Sequence, residues 1–259
     1  MKPSILLRRR ALLFSISISS YILSRKIINP VIKPLLQPGV ILRITLQLIF
    51  IFSFSIASYS QTFFGVSSNP GDNGSLTTAT VTVTPPATMV AGDLVVVYVQ
   101  YRHTNGTLTN TTTGGQTWTA ETQQNSGTQR ICIFWCEYNG TWAADPVFTR
   151  SGGTNEALTA VMYVFTPSNA SNTWSKHIGP NTGTSTSSTV SITGVTTTLP
   201  NTVTMAFWGS EDDNSWGTLT GGGTGWTKTG LTAQYRNTGG TDQSHTSAYN
   251  IQATAGASR

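Results

Sequence analysis

Apolar and polar positions along this chain alternate at a period of two, and three runs depart from it by being apolar on both sides. The longest is Ala91–Arg102, AGDLVVVYVQYR. Leu94, Val96 and Tyr98 share one face and Val95, Val97, Val99 and Tyr101 the other. The run is short, β-branched and preceded by the turn-former pair Gly92-Asp93, which favours a strand over a helix. A strand apolar on both faces needs a layer above it and a layer below it. Gln129–Tyr138 and Ala157–Phe165 are two more such runs. The strands centred on Val97 and Phe134 are therefore expected to lie buried as neighbours.

The remaining segments are half-wet strands separated by turn chemistry. Phe63–Ser67 predicts an edge strand and Asn69–Gly74 a dense turn. Thr77–Thr84 alternates Thr with Ala and Val and ends at Pro85-Pro86. A polar loop, His103–Gln116, leads to a strand over Trp118–Asn125. Pro146–Arg150 and then Ala157–Phe165 are expected to partner Gln129–Tyr138. Trp174–Ser188 reads as an exposed excursion, followed by strands over Thr189–Thr193, Val203–Trp208, Leu231–Arg236 and Ser247–Gln252. About ten short strands without helical periodicity predict an all-β, antiparallel β-sandwich, with a jelly roll the natural version at this length. An aqueous β-barrel is the structural alternative. An outer-membrane barrel would alternate apolar and polar positions in its best strands, which this chain does not.

Charge divides the chain near residue 60. Residues 1–60 carry eight Lys/Arg and no acid, a formal +8; residues 61–259 carry seven Lys/Arg against ten Asp/Glu, a formal −3. The basic balance therefore belongs to the leader alone, and nucleic acid is not an expected partner of the rest. An acid-free, Arg-rich and Ser-rich start is a targeting signature. Within it, Ile44–Ala57 follows Arg43 and ends in Ser58-Tyr59-Ser60, the layout of a signal peptide cleaved after Ser60. That places the natural start near Val40 or Leu42, with residues 1–39 over-called. The alternative is an N-terminal anchor made of two short apolar segments, and only this leader would touch a membrane. Either way residues 61–259 are expected to be secreted or to face an extracytoplasmic surface, as one domain of about 200 residues, enough to bury around 70% of its unfolded surface.

The order of pieces carries a resemblance. A Thr/Val strand ending at Pro86 is followed by AGDLVVVYVQYR, GGQTWT, IFWCEY, ALTAVMYVF, a second pair of Thr/Val strands and GTGWTKTG. This order resembles a jelly-roll module that recurs, mostly without assigned function, in secreted bacterial surface proteins and phage structural proteins. The similarity runs from Val66 to the C-terminus and brings no catalytic set with it. Such modules usually continue with another strand beyond the Tyr249–Gly256 step, so the end at Arg259 leaves room for a missing C-terminal portion and sorting tail.

Candidate chemistry is sparse. Cys132 and Cys136 are four apart in one strand, about 13 Å from each other, beyond the roughly 7 Å that a disulfide tolerates. They read as small core residues. His103, His177 and His245 are scattered in polar surroundings without zinc-site spacing. No Gly-x-Ser-x-Gly elbow occurs, and Gly221-Gly222-Gly223 lacks the Lys of a phosphate-binding loop. The acidic run Glu211, Asp212, Asp213, Asn214 reads first as a solvated loop. It is also a weak calcium candidate through Glu211, Asp212 and Asp213. A glycosidase pair with Glu137 or Asp145 would need two carboxyls facing each other across a cleft.

Aromatic residues give the richest lead. Trp135 and Phe165 sit in apolar runs and are expected in the core. Trp118, Trp142, Trp174, Trp216 and Trp226 lie among Gly, Thr and Asn near strand ends. Such rings either cap the sandwich or offer flat platforms for a sugar face, with polar neighbours bonding its hydroxyls. An ice-binding face is disfavoured because the threonines do not form one regular array. The expected function is thus a non-catalytic module for surface binding, adhesion or assembly, whose partner is a glycan or another surface or structural protein. Its contact loops would be His103–Gln116, Glu211–Trp216 and Gly221–Trp226. Candidate ligand-binding residues are Trp216, Trp226, Trp118, Asp212, Asp213 and Asn214. Carbohydrate binding through Trp216 and Trp226 is the first alternative. A glycoside hydrolase or lyase using Glu211 or Asp213 is the second. No cofactor is expected beyond possible calcium.

Overall fold

A computed structural model of the chain describes residues 61–66, 71–72, 78–153, 156–177, 179, 182–183, 189–219, 225–228, 235–237 and 242–258. The chain divides into Met1–Ser58 and Tyr59–Arg259, and the leader, its cleavage step and its start site lie outside the described residues. So do the Asn69-Pro70 and Asn73-Gly74 parts of the expected turn, Gly221–Gly223, and the first half of the Leu231–Arg236 strand.

All regular structure among the described residues is β, with no helix. In chain order the strands are β1 (Thr62–Val66), β2 (Gly71–Asp72), β3 (Thr80–Thr82), β4 (Leu94–Arg102) and β5 (Leu108–Thr112). Next come β6 (Thr119–Ala120), β7 (Gln124–Ser126), β8 (Gln129–Glu137), β9 (Val147–Arg150) and β10 (Leu158–Thr166). The last six are β11 (Thr196–Thr197), β12 (Thr202–Ser210), β13 (Trp226–Lys228), β14 (Tyr235–Asn237), β15 (Gln243–Gln252) and β16 (Gly256–Ala257). Every pairing is antiparallel.

The three runs apolar on both faces build the middle of the structure. A seven-stranded sheet runs β1-β10-β4-β8-β6, with β2 on β10 and β7 on β8. Val97 stands opposite Phe134 on β8 and opposite Met162 on β10, so the two neighbours expected from the pattern are in register. Gly92 starts β4 in the left-handed region at φ 93°, where a side chain would be strained. Asp93 Oδ2 accepts the Val90 N–H at 2.9 Å and closes that turn.

One face of this sheet presents Val95, Val97, Val99, Cys132, Phe134, Cys136, Ala160 and Met162 to Val81, Val83, Leu108 and Phe148. Val81, Leu108 and Phe148 belong to a three-stranded sheet, β3-β9-β5. The other face presents Tyr98, Val161, Tyr163 and Phe165 to Val203, Met205, Phe207 and Tyr249 of a four-stranded sheet, β12-β15-β13 with β14 on β15. Val95, Val97 and Val99 are fully buried, each such side chain contributing about 1.5–3 kcal/mol on leaving water. The result is a layered antiparallel β structure in which β4 and β10 of the central sheet are covered on both sides, as doubly apolar strands require.

Several local expectations change. β9 does not pair with β8; it joins β3 and β5 in a different sheet, and β4 separates β8 from β10. The polar His103–Gln116 stretch contains β5, because Leu108 anchors one end in the core while the Thr and Asn side chains stay wet. The Trp118–Asn125 strand is split into β6 and β7. Thr189–Thr193 forms no strand, and sheet pairing begins only at Thr196. Trp174, placed in an exposed excursion by the sequence, packs against the second core and donates its indole N–H to the Gly92 carbonyl at 2.9 Å.

A candidate binding cavity beside the edge strand β12

The two faces of β8 are not covered equally. Cys132, Phe134 and Cys136 are buried, while Ile131, Ile133 and Trp135 on the opposite face are only half-buried. The four-stranded sheet reaches over β4 and β10 and, among the described residues, ends at β12, its edge strand. Beside that edge is a cavity of about 1270 Å³, bordered by Leu94, Val96, Ile131, Ile133 and Trp135 of the central sheet. β12 borders it with Val203, Met205 and Phe207, which face the central sheet, and also with Thr204 and Trp208, which alternation places on the far face. A space that touches both faces of one strand lies at that strand's edge. Val190, Ile192 and Val195, half-buried in a segment outside any sheet, form another wall.

Five of the seven tryptophans border this cavity: Trp135, Trp174, Trp208, Trp216 and Trp226. Three are held through the indole N–H, Trp135 by Glu121 Oε1 at 3.0 Å, Trp174 by Gly92 O, and Trp216 by Ser244 Oγ at 3.1 Å. Fixing the edge of a ring leaves its face as a pre-oriented contact surface. Among the described lining residues the only carboxylate and the only ammonium are Glu121 and Lys176, which pair with each other at 2.7 Å. The described lining therefore carries no unpaired carboxylate or ammonium.

The candidate residues separate accordingly. Trp216 and Trp226 border the cavity. Trp118 packs on the opposite core with Trp142 and Phe148, its N–H donated to the Thr113 carbonyl at 2.8 Å. Trp118 thus packs at the margin of the opposite core, away from this cavity. Asp212, Asp213 and Asn214 are not among the described lining residues. Asn214 Nδ2 donates to Ser210 Oγ at 2.8 Å, holding the loop to the end of β12. Glu211 turns away and accepts the Thr128 N–H at 2.8 Å. The acids that gather are instead Asp212, Asp213 and Asp242, whose oxygens lie within 4.8 Å of one another. Asp242 is already paired with Arg102 at 3.0 Å. The expected carboxylates of a hydrolase are engaged elsewhere: Glu137 accepts the Trp174 N–H at 3.0 Å, and Asp145 accepts the Thr84 hydroxyl at 2.9 Å.

Sequence reasoning missed a buried polar seam between the central and four-stranded sheets. The Tyr98 hydroxyl donates to Gln100 Oε1 at 2.7 Å, and Gln100 Nε2 donates to the Ser210 carbonyl at 2.9 Å. Gln243 Nε2 donates to the Gln100 carbonyl at 3.2 Å and to Thr159 Oγ1 at 3.0 Å; Ser247 Oγ donates to the Tyr163 hydroxyl at 2.7 Å. His245, expected in polar surroundings, is 2% exposed within this seam and tilted against Tyr98 at 4.7 Å between ring centroids. Burial lowers its pKa to about 3, so the ring is neutral at ordinary pH. Burial also raises the Tyr98 hydroxyl, with the nearby Tyr163 adding to it. The only signal available in the sequence was the length of the polar run Gln243–Asn250, which reads equally well as a wet strand.

Both cysteines are free and buried, as their spacing implied. Burial pushes each thiol up to about 12, with Glu121 adding to the shift at Cys132.

Comparison with known proteins yields no family model, no curated protein and no solved structure that matches the chain.

Proposed function

We propose that residues 61–259 are a non-catalytic, extracytoplasmic module that works in surface binding, adhesion or assembly, with the cavity beside β12 as its contact site. The observation that carries this reading is that five tryptophans, from both sides of β12, border one cavity of about 1270 Å³ whose described ionic groups, Glu121 and Lys176, pair with each other. The cavity is larger than the roughly 300–1,000 Å³ of a site for one small ligand. A jelly-roll-like path is part of the same proposal. Its support is the antiparallel pairing of strands distant in sequence, such as β1 with β10 and β4 with β8. The acid-free, basic leader supports delivery out of the cytosol. Surface labelling of intact cells tests the placement: reactive body epitopes are the expected result, and epitopes reachable only after lysis would refute it.

Carbohydrate is a second reading, favoured by Trp216 and Trp226 bordering the same cavity. Glycan-array binding that disappears in Trp216→Ala would establish it. The hydrolase reading has the least support, since Glu211 is spent on a backbone N–H. Hydrolysis of any polysaccharide, abolished by Glu211→Gln, would restore that reading.

A further inference from the structure

We propose that the slot beside β12 receives an extended strand from a partner protein, which adds to the four-stranded sheet and completes its cover over β8. This rests on the cavity being the contact site and names the partner's chemistry: uncharged peptide, apolar at every second position.

Three observations converge on a strand. β12 is nine residues long and pairs only with β15; among the described residues no strand lies on its other edge. A free edge of that length offers a row of backbone donors and acceptors that another strand satisfies in register. The cavity touches residues of both β12 faces, which puts its middle at the strand's edge, and it continues over the outer face to Thr246 of β15 and Trp226 of β13. Below it, Ile131, Ile133 and Trp135 stand half-covered at a spacing of two along β8. A row at that period is matched by a strand presenting apolar side chains at alternate positions. Charge decides the rest: Glu121 and Lys176 neutralise each other, leaving no unpaired carboxylate or ammonium in the described lining to favour a charged side chain.

The test uses the full chain and a panel of fluorescein-labelled, uncharged nonapeptides with Val, Ile or Phe alternating with Thr. Each is paired with a version carrying Pro at its centre, which removes a ladder hydrogen bond. Fluorescence anisotropy is expected to show saturable binding that weakens at least tenfold with the Pro peptides and at least tenfold in Ile133→Lys. Amide hydrogen exchange is expected to slow along Thr202–Ser210 when peptide is bound. The proposal is overturned if no peptide binds, if Pro peptides bind equally well, or if exchange along β12 is unchanged. If Ile133→Lys fails to fold, the Pro pairs and the exchange data still decide. Neutral oligosaccharides displaced from the cavity by nothing in the panel would overturn strand addition while leaving the binding-module reading intact. A cavity that takes up neither class would remove both.

Discussion

His245 ties the stability of the layered body to pH. The unfolded chain protonates this imidazole near its ordinary 6.5, the folded chain only near about 3. Between those values the unfolded state holds one more proton, so acid draws the equilibrium toward unfolding. Stability is whole above the ordinary value, falls as pH drops through the window, and levels off below the folded value. Each pH unit inside the window costs about 1.4 kcal/mol. Going from pH 7.5 to pH 5.0 crosses about 1.5 units of it, a loss of about 2 kcal/mol; crossing the whole window costs about 4–5 kcal/mol. For a body of about 200 residues, 2 kcal/mol lowers Tm by about 4–8 °C. Urea unfolding followed by tryptophan fluorescence at several values across that range measures the slope, above the region where most carboxylates titrate. His245→Phe keeps a ring against Tyr98 and removes the titration, so its stability is expected to change far less over the same range. Parallel pH curves for the two proteins would show that another group is responsible.

Other perturbations separate the seam, the core and the surface. A Cβ at Gly209 would fall 2.5 Å from the Tyr98 hydroxyl and 2.7 Å from Gln100 Oε1; Gly209→Ala is expected to cost about 1–3 kcal/mol in urea unfolding, and an unchanged midpoint would show that the seam yields. Cys132 and Cys136 are expected to be silent to a thiol reagent at pH 8 in the native protein and to react as two thiols in denaturant, because burial holds both pKa values at about 12. Chelation with EDTA is expected to leave Tm unchanged, since Asp242 already has Arg102 as its counter-charge; a clear rise with calcium would instead make the Asp212, Asp213 and Asp242 trio a cation site.

The sequence made the middle of the fold legible because its strands needed cover on both sides. That the strands around Val97 and Phe134 are buried neighbours follows from their two apolar faces, and that two cysteines four apart do not join follows from strand geometry. The outer layers were harder. β5 hid in a polar run because Leu108 is its one apolar residue, and only the Ser247–Gln252 half of β15 was legible, because the buried residues that open the strand, Gln243–Thr246, are polar. Gln243, Ser244, His245 and Ser247 carry no periodicity that distinguishes a hydrogen-bonded interior from a wet surface. The cavity was equally hidden. Alternation shows that Ile131, Ile133 and Trp135 share a face, but how far a neighbouring sheet extends over that face is a tertiary fact. Among the tryptophans, composition near strand ends could not separate Trp118, whose ring is wedged among Trp142 and Phe148, from Trp216 and Trp226.

The two outer sheets grip the middle one by different physics. Grease tolerates sliding, since apolar contact has no direction, and the face against the three-stranded sheet is an apolar cluster whose polar ties, such as Tyr101 to the Gly152 carbonyl and Gln123 to the Leu108 N–H, lie at its margin. Hydrogen bonds from Gln100, Gln243 and Ser247 point to fixed acceptors across the seam, so the four-stranded side has one seat only. Drift during evolution should therefore be loose in the first layer, where Val, Ile and Leu can trade places, and tight in the second, where a single amide out of place unseats a whole sheet.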